Sequence, residues 1–277
     1  MSWIAAYNTN GFAYHRLPEA LDLLGELGYG GVALTLDNAH LDPYGPDLRE
    51  QVARTAAKLA QHRLACVIES GARFNLDPRI KHYPSLMTRR HRGRRIAFLE
   101  RCLEIAAELG ASAVSLWSGH DFDELGDEAA FELLADGISR LLVRAEELGV
   151  DLAFEPEPGM FSETLDDYAR LKKLFPSPRF GLALDLGHLL VTGECDPPEA
   201  LRRYRGELIT VSIEDMRRGV HDHLPFGEGD VDFPPIFTAL EEIGYRGLVA
   251  VEVSRASSNA AVFAADAMRF LEGFRPV

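Results

Sequence analysis

The sequence predicts an α/β protein of the (β/α)8 TIM-barrel class. Eight apolar runs of β-strand character alternate with longer amphipathic stretches of helical spacing. The runs are nearly continuous rather than alternating, as parallel strands covered on both faces require. Strand and helix repeated eight times is the pattern of a closed barrel, and 277 residues with 47% hydrophobic content can build its single large core. No shift in composition marks a boundary, so residues 1–277 are expected to form one barrel domain.

The first strand is expected at 3–7 (WIAAY), followed by a helix over 17–29 whose Leu17, Leu21, Leu24 and Leu27 share a face before Gly28 stops it. Strand 30–36 (GGVALTL) leads to a helix at 48–62, and strand 63–69 (RLACVIE) to a long loop at 70–94 and a helix at 95–110. Strands 112–117 and 150–155 flank a helix at 128–149. Shorter helices at 163–174, 198–204, 234–243 and 257–273 alternate with strands 179–185, 207–213 and 247–253. Several helices end in Gly just before the next strand (LGYG, LGAS, LGVD, IGYRG), which is the chemistry of an αβ loop.

The formal net charge of -14 repels nucleic acid and anionic membrane surfaces, so neither is expected as a partner, whereas cations are favoured. Three sparse cysteines, Cys66, Cys102 and Cys195, fit a reducing cytoplasm better than a disulfide framework. The N-terminal stretch MSWIAAYNTNGF has no basic region and no long apolar run, so no signal peptide is expected. No segment approaches the roughly 20 apolar residues of a membrane helix. Barrels of this size commonly self-associate, and a homo-oligomer is compatible with the chain, although no exposed apolar stripe marks an interface.

Barrel active sites form at the C-terminal ends of the strands. There the chain places Glu69 after the third strand, Trp117 and His120 after the fourth, and Glu155 and Glu157 after the fifth. Asp185 and His188 follow the sixth, Ser212, Glu214, Asp215, His221 and His223 the seventh, and Glu252 stands at the eighth. Carboxylates ending apolar strands, with imidazoles beside them, suit Mn²⁺, Mg²⁺, Co²⁺ or Zn²⁺. Without a cation such carboxylates repel, and at least one stays protonated. The same residues have plainer readings as strand-end surface groups. Glu157 can be a cap, Trp117 a core residue or a stacking face for a sugar, and His120 a loop residue or a substrate contact. The run RRHRGRR at 89–95 holds five arginines in seven residues. It reads as a solvated helix start or, with Arg73, Arg79, Lys81 and His82 of the preceding loop, as a clamp for an anionic substrate.

Four elements together carry a resemblance: the Glu-Pro-Glu-Pro at 155–158, the Asp-Leu-Gly-His at 185–188, the stretch from His223 through Gly-Glu-Gly at 227–229, and Val-Glu at 251–252. The chain resembles the xylose-isomerase-like barrel superfamily over essentially its whole length. That superfamily includes sugar and sugar-phosphate isomerases and epimerases and the metal-dependent abasic-site endonucleases. The resemblance implies that Glu155 and Glu252 are paired metal carboxylates that also move the proton. It implies Asp185 as the third ligand, His188 as a substrate contact near the metal, and His223 as the histidine before the Gly-Glu-Gly turn, a metal ligand in the endonucleases. Glu69, Arg73, Trp117, His120, Glu157 and His221 are the expected substrate-binding set.

One departure matters. On the seventh strand the family pattern Val-His-Ile-x-Asp becomes Val-Ser-Ile-Glu-Asp, with Ser212 in the histidine's place. A serine hydroxyl is a poor ligand for these ions. Water can fill the position, Glu214 or a loop histidine can move in, or the metal can be lost; retained but altered metal binding is favoured, because three carboxylates persist. Glu214 has the same strand parity as Ser212. Glu69 and the Trp117-Ser118 pair replace the extra histidines of the endonucleases, which speaks against DNA repair. The resemblance therefore implies a metal-dependent isomerase or epimerase of a sugar-like or cyclitol-like polyhydroxy carbonyl compound, phosphorylated or not, working through an enediolate. A lyase or dehydratase on a similar substrate, and a barrel retained as a binding protein, are the alternatives.

Overall fold

The structure is a computed structural model that describes residues 3–71 and 73–274. Seven strands come first in chain order: β1 (Ile4–Asn8), β2 (Gly31–Thr35), β3 (Ala65–Glu69), β4 (Ala113–Leu116), β5 (Asp151–Phe154), β6 (Phe180–Asp185) and β7 (Leu208–Ile213). A short antiparallel hairpin follows, β8 (Asp215–Arg217) with β9 (Val220–Leu224), and β10 (Leu248–Val251) is the eighth barrel strand. The barrel closes in the order β1-β10-β7-β6-β5-β4-β3-β2, with every pairing parallel. Around it run α1 (Leu17–Glu26), α2 (Leu48–His62), α3 (Arg92–Leu109), α4 (Asp127–Leu148), α5 (Leu165–Leu174), α6 (Leu186–Thr192), α7 (Pro197–Arg203), α8 (Phe233–Glu242) and α9 (Ala260–Glu272). All eight expected strands are present.

Strand parity explains where the site sits. Ala6, Ala33, Val67, Ala113, Ala153, Ala183 and Ala250 pack with Leu248 as one small buried cluster, separate from the large core between strands and helices. Side chains on one face of a strand recur every second residue. Two residues on from these small side chains come Asn8, Thr35, Glu69, Ser115, Glu155, Asp185 and Glu252. A layer of alanines thus leaves room in the barrel, and the next layer toward the C-terminal ends is polar.

Three elements differ from expectation. The segment after β7 forms a hairpin because Gly219 takes a left-handed φ of 70° at its turn. Its base is fixed by the Asp215 carboxylate, which accepts N–H bonds from Met216, Gly227 and Val231 at 3.0, 2.8 and 3.1 Å. The Asp-Leu-Gly-His segment opens α6, whose seven residues are too short for a helical period to be read. Asp185 caps it, accepting the His188 N–H at 3.0 Å.

The third difference concerns the arginine run. α3 begins at Arg92, and Arg92, Arg94 and Arg95 spend their guanidinium groups on backbone carbonyls, whereas Arg73, Lys81 and His82 of the 70–94 loop line the cavity at the open end of the barrel. Arg95 is buried, donates to the Pro84 and His82 carbonyls at 2.8 Å each, and lies 5.1 Å from the Trp117 ring centroid. Arg92 donates to the carbonyls of Leu86 and Leu133, and Arg94 to that of Leu76. Arg95→Ala would strip those carbonyls of a charged donor and empty a packed site, so it is expected to cost about 3 kcal/mol in chemical denaturation. An Arg89→Ala control should be near neutral, because Arg89 is exposed.

Candidate active site

The open end of the barrel holds a cavity of about 240 Å³. Eleven of the residues singled out from the sequence line it: Glu69, Arg73, Lys81, His82, Trp117, Glu155, Glu157, His188, His221, His223 and Glu252. Asp185 is buried behind them, with its Oδ2 3.5 Å from His188 Nε2. His120 does not join them: it is exposed, its ring edge-on to Phe122 at 5.6 Å. Gly119 before it has a left-handed φ of 79°. Asn10, Ser254 and Arg255 also line the cavity and were not foreseen. Asn10 lies two residues beyond β1, in a 3-10 turn over Thr9–Phe12, so the strand-end rule points to Asn8 rather than to Asn10.

The first strand's end is built to present Asn10. Asn8 Oδ1 accepts from the Asn10 N–H and from Thr35 Oγ1, both at 3.0 Å. Asn10 Nδ2 then donates to Glu252 Oε1 at 2.9 Å, which orients that carboxylate. His188 Nδ1 lies 3.2 Å from the Pro156 carbonyl, which can only accept, so Nδ1 carries the proton. Its Nε2 lone pair then faces Asp185 Oδ2 and Glu157 Oε2, the latter 3.8 Å away. A lone pair facing two carboxylates is unfavourable unless a proton or cation stands between them.

The electrostatics follow from crowding in a buried space. Burial, then the charges of Glu157, Glu252 and Asp185, hold the Glu155 carboxyl well above the usual range. Burial and the neighbouring Asp185 do the same to Glu214. Burial, reinforced by Glu252, raises Glu69 to about 7, and burial also raises Glu157. Burial pushes His223 down, but Glu214, Glu252 and Asp185 outweigh it and bring the imidazole up to about 10. His221 is pushed down to about 4 by burial and by the other two imidazoles. Burial opposes ionisation of Asp185, yet the adjacent imidazoles keep it below its ordinary value. Carboxylates and imidazoles crowded in this way are groups whose deprotonated forms a bound cation would stabilise.

A divalent cation fits this donor set. Asp185 Oδ2, both Glu214 oxygens, His188 Nε2, His221 Nε2 and His223 Nδ1 are buried without a hydrogen-bond partner. Their donor atoms fall into triplets within 4.8 Å of one another: Asp185 with Glu214 and His223, and His188 with His221 and His223; Glu155, Glu157 and His188 form a third. Buried polar atoms are normally paired, and carboxylate with imidazole is the chemistry of Zn²⁺, Mn²⁺ or Co²⁺ sites.

Fold and site together define a barrel with a carboxylate–imidazole centre at the C-terminal ends of its strands. The chain belongs to the xylose isomerase-like TIM barrel family, whose pattern matches residues 21–273. It is 30% identical to an inosose dehydratase of Lacticaseibacillus casei over 191 residues, 61% of this chain and 63% of that one. The match therefore spans less than two thirds of that relative. A putative L-ribulose-5-phosphate 3-epimerase of Escherichia coli is 27% identical over 257 residues, 85% of this chain and 83% of that one. Among solved structures, a D-tagatose 3-epimerase-like protein superposes with a TM-score of 0.80 at 17% identity, covering 98% of this chain and 96% of its own. The IolI protein, solved with a zinc atom, gives 0.77 at 19% identity, covering 98% and 97%. No helix among the described residues is long and apolar enough to cross a membrane, and Cys66, Cys102 and Cys195 are all free thiols.

Proposed function

We propose that this protein is a metal-dependent isomerase or epimerase of a sugar-like or cyclitol-like polyhydroxy carbonyl compound. The observation that carries this reading is the pair Glu155 and Glu252 facing one small cavity from β5 and β10. In the barrel order these strands are separated by β7 and β6 on one side and by four strands on the other, so the carboxylates approach a substrate from different sides. One can remove a proton beside the carbonyl while the other returns one, which is general acid–base catalysis with two carboxyl groups. Their environments differ: Glu252 is held by Asn10, whereas Glu155 is crowded by burial and like charge and favours its protonated form.

Glu155, Asp185, Glu252 and His223 are the residues we assign to the cation. When bound it supplies Lewis-acid polarisation of the substrate oxygens and neutralises the carboxylates. His188 is placed to polarise a substrate oxygen, its other ring nitrogen being fixed by the Pro156 carbonyl. Trp117, edge-on to His82 at 4.6 Å, offers an apolar wall suited to a sugar face. Glu69, Glu157 and His221 provide polar contacts, and Arg73, 3.8 Å from Asp37, stands where a phosphorylated substrate would need a counter-charge. A cytoplasmic location goes with this reading and with the free cysteines.

Similarity to inosose dehydratases favours a second reading, loss of water after the same proton abstraction. One experiment separates the two. Ketoses, their phosphates and inososes are incubated with the Mn²⁺-loaded protein in D₂O and followed by NMR and mass spectrometry. Deuterium beside the carbonyl in a product of unchanged formula supports the epimerase. Loss of one water supports the dehydratase. With neither, the protein acts as a binding barrel, and both enzymatic readings are wrong.

A further inference from the structure

Ser212 lies opposite Asp185 in the β6–β7 register, where the resemblance leads one to expect an imidazole. Two positions on, with the same parity, is Glu214. Its side chain is fully buried, and neither carboxylate oxygen has a hydrogen-bond partner. A buried carboxylate left without a donor is among the costliest features a fold can carry, and it persists where a cation or proton completes it. Asp185 Oδ2 beside it is unpartnered too.

The surrounding backbone is shaped to bring these groups together. A Cβ on Gly187, in the first turn of α6, would stand 2.1 Å from Glu214 Oε1 and 3.3 Å from Asp185 Oδ1. Glycine at this position therefore lets the Glu214 carboxylate lie against the helix start that Asp185 caps. From the other side the β8–β9 hairpin, fixed at its base by Asp215, delivers His223. Its Nδ1 is 3.9 Å from Glu214 Oε2, beyond hydrogen-bond distance, and is itself unpartnered. Three groups from β6, the end of β7 and β9 thus lie close enough to share one ion and attract one another, but at distances that leave their hydrogen-bonding atoms unpartnered.

We propose that Glu214, with His223 beside it, takes the place of the strand-seven imidazole that Ser212 lacks, so that Glu214 joins the residues assigned above to the cation, next to Asp185 and His223. Glu214 is then a ligand that the family pattern does not supply, and the Ser212 change is offset two residues further along the same strand and on the hairpin. This rests on the reading of the protein as metal-dependent, and the test separates the two claims.

Zn²⁺ and Mn²⁺ binding to the full chain is measured by titration calorimetry, with metal content by elemental mass spectrometry, for wild type, Glu214→Gln, His223→Asn, Glu252→Gln and Asp185→Ala. Circular dichroism checks folding. Loss of outer-shell groups alone typically weakens metal binding 10–100-fold, so Glu214→Gln and His223→Asn are each expected to weaken it by at least about 100-fold. Adding Ser212→His to Glu214→Gln should recover at least about tenfold, by restoring an imidazole to the strand. If Glu214→Gln does not fold, Glu214→Asp, which keeps the charge but shortens its reach, decides in its place. Binding within about threefold of wild type in the folded variants, with loss in Glu252→Gln or Asp185→Ala, overturns the proposal and leaves the metal-dependent reading standing. A wild-type protein that takes up neither ion overturns both.

Discussion

Glu155→Gln is expected to lower turnover by about 10²–10⁴-fold, the usual contribution of a positioned acid or base, while the chain remains folded. The amide matches the carboxylate in size and removes like-charge repulsion with Glu157, Glu252 and Asp185, so the variant should be no less stable than wild type without metal. A loss of activity could also arise from a lost metal ligand, so metal content must be measured beside the rate. Proton transfer as the main role predicts that deuterium exchange falls by more than metal occupancy does. Glu252→Gln should cause a comparable loss, and in an epimerase the two variants should fail in exchange from opposite epimers. Removing the Asn10 amide with Asn10→Ala should produce a smaller defect, because that side chain orients Glu252 and has no proton to offer the reaction. If Glu155→Gln and Glu252→Gln both retain activity within about tenfold of wild type, neither is the base or the acid.

What could be read from the chain follows from period and position. The strands were legible because both their faces are covered, which leaves unbroken apolar runs. Glu69, Glu155, Asp185 and Glu252 were legible because each ends such a run. Asn10 does not end such a run: it sits in the 3-10 turn after β1, and only the Asn8 side chain that accepts its N–H shows how it is aimed. The hairpin was not legible: β8 and β9 are short, and polar groups serve the site where apolar alternation would otherwise mark a strand. α6 escaped because seven residues, about two turns, show no clear period. The arginines of 89–95 read as a clamp because sequence gives charge but not direction; in the fold Arg95 is aimed at the Pro84 and His82 carbonyls and the Trp117 ring. His120 is a similar case, since its position after the fourth strand does not show that its ring lies exposed against Phe122. Glu214 was legible only as a parity match to Ser212. Its burial against Asp185 depends on Gly187, a contact that strand periodicity does not encode.

The stability of the metal-stripped protein should fall as pH rises above neutral, and bound metal should reverse that slope. His223 in the fold titrates near 10 against an ordinary 6.5. A folded value above the unfolded one means that the native state holds a proton which the unfolded chain releases. The stabilisation is complete below pH 6.5 and is lost as pH climbs through about 10. Glu155 and Glu214, raised well above 4.5, act with the same sign and begin to lose stability at lower pH. His221 and His82 act oppositely: their values, brought down to about 4 and about 3, add stability as pH rises toward 6.5 and nothing beyond it. Acid-side behaviour is therefore a balance, whereas on the alkaline side of 6.5 these groups can only lose. The Glu214 and His223 shifts describe one shared interaction and are not added, so the loss is on the order of a few kcal/mol. In a chain of this size it would lower Tm by several degrees, at about 2–4 °C per kcal/mol. A bound cation needs these groups deprotonated, so its affinity and its stabilisation grow with pH. Thermal unfolding with chelator and with Zn²⁺ should give curves that diverge as pH is raised from 6.5 toward 10. Parallel curves would mean that the buried carboxylates and imidazoles hold no ion, and that protons alone keep the site together.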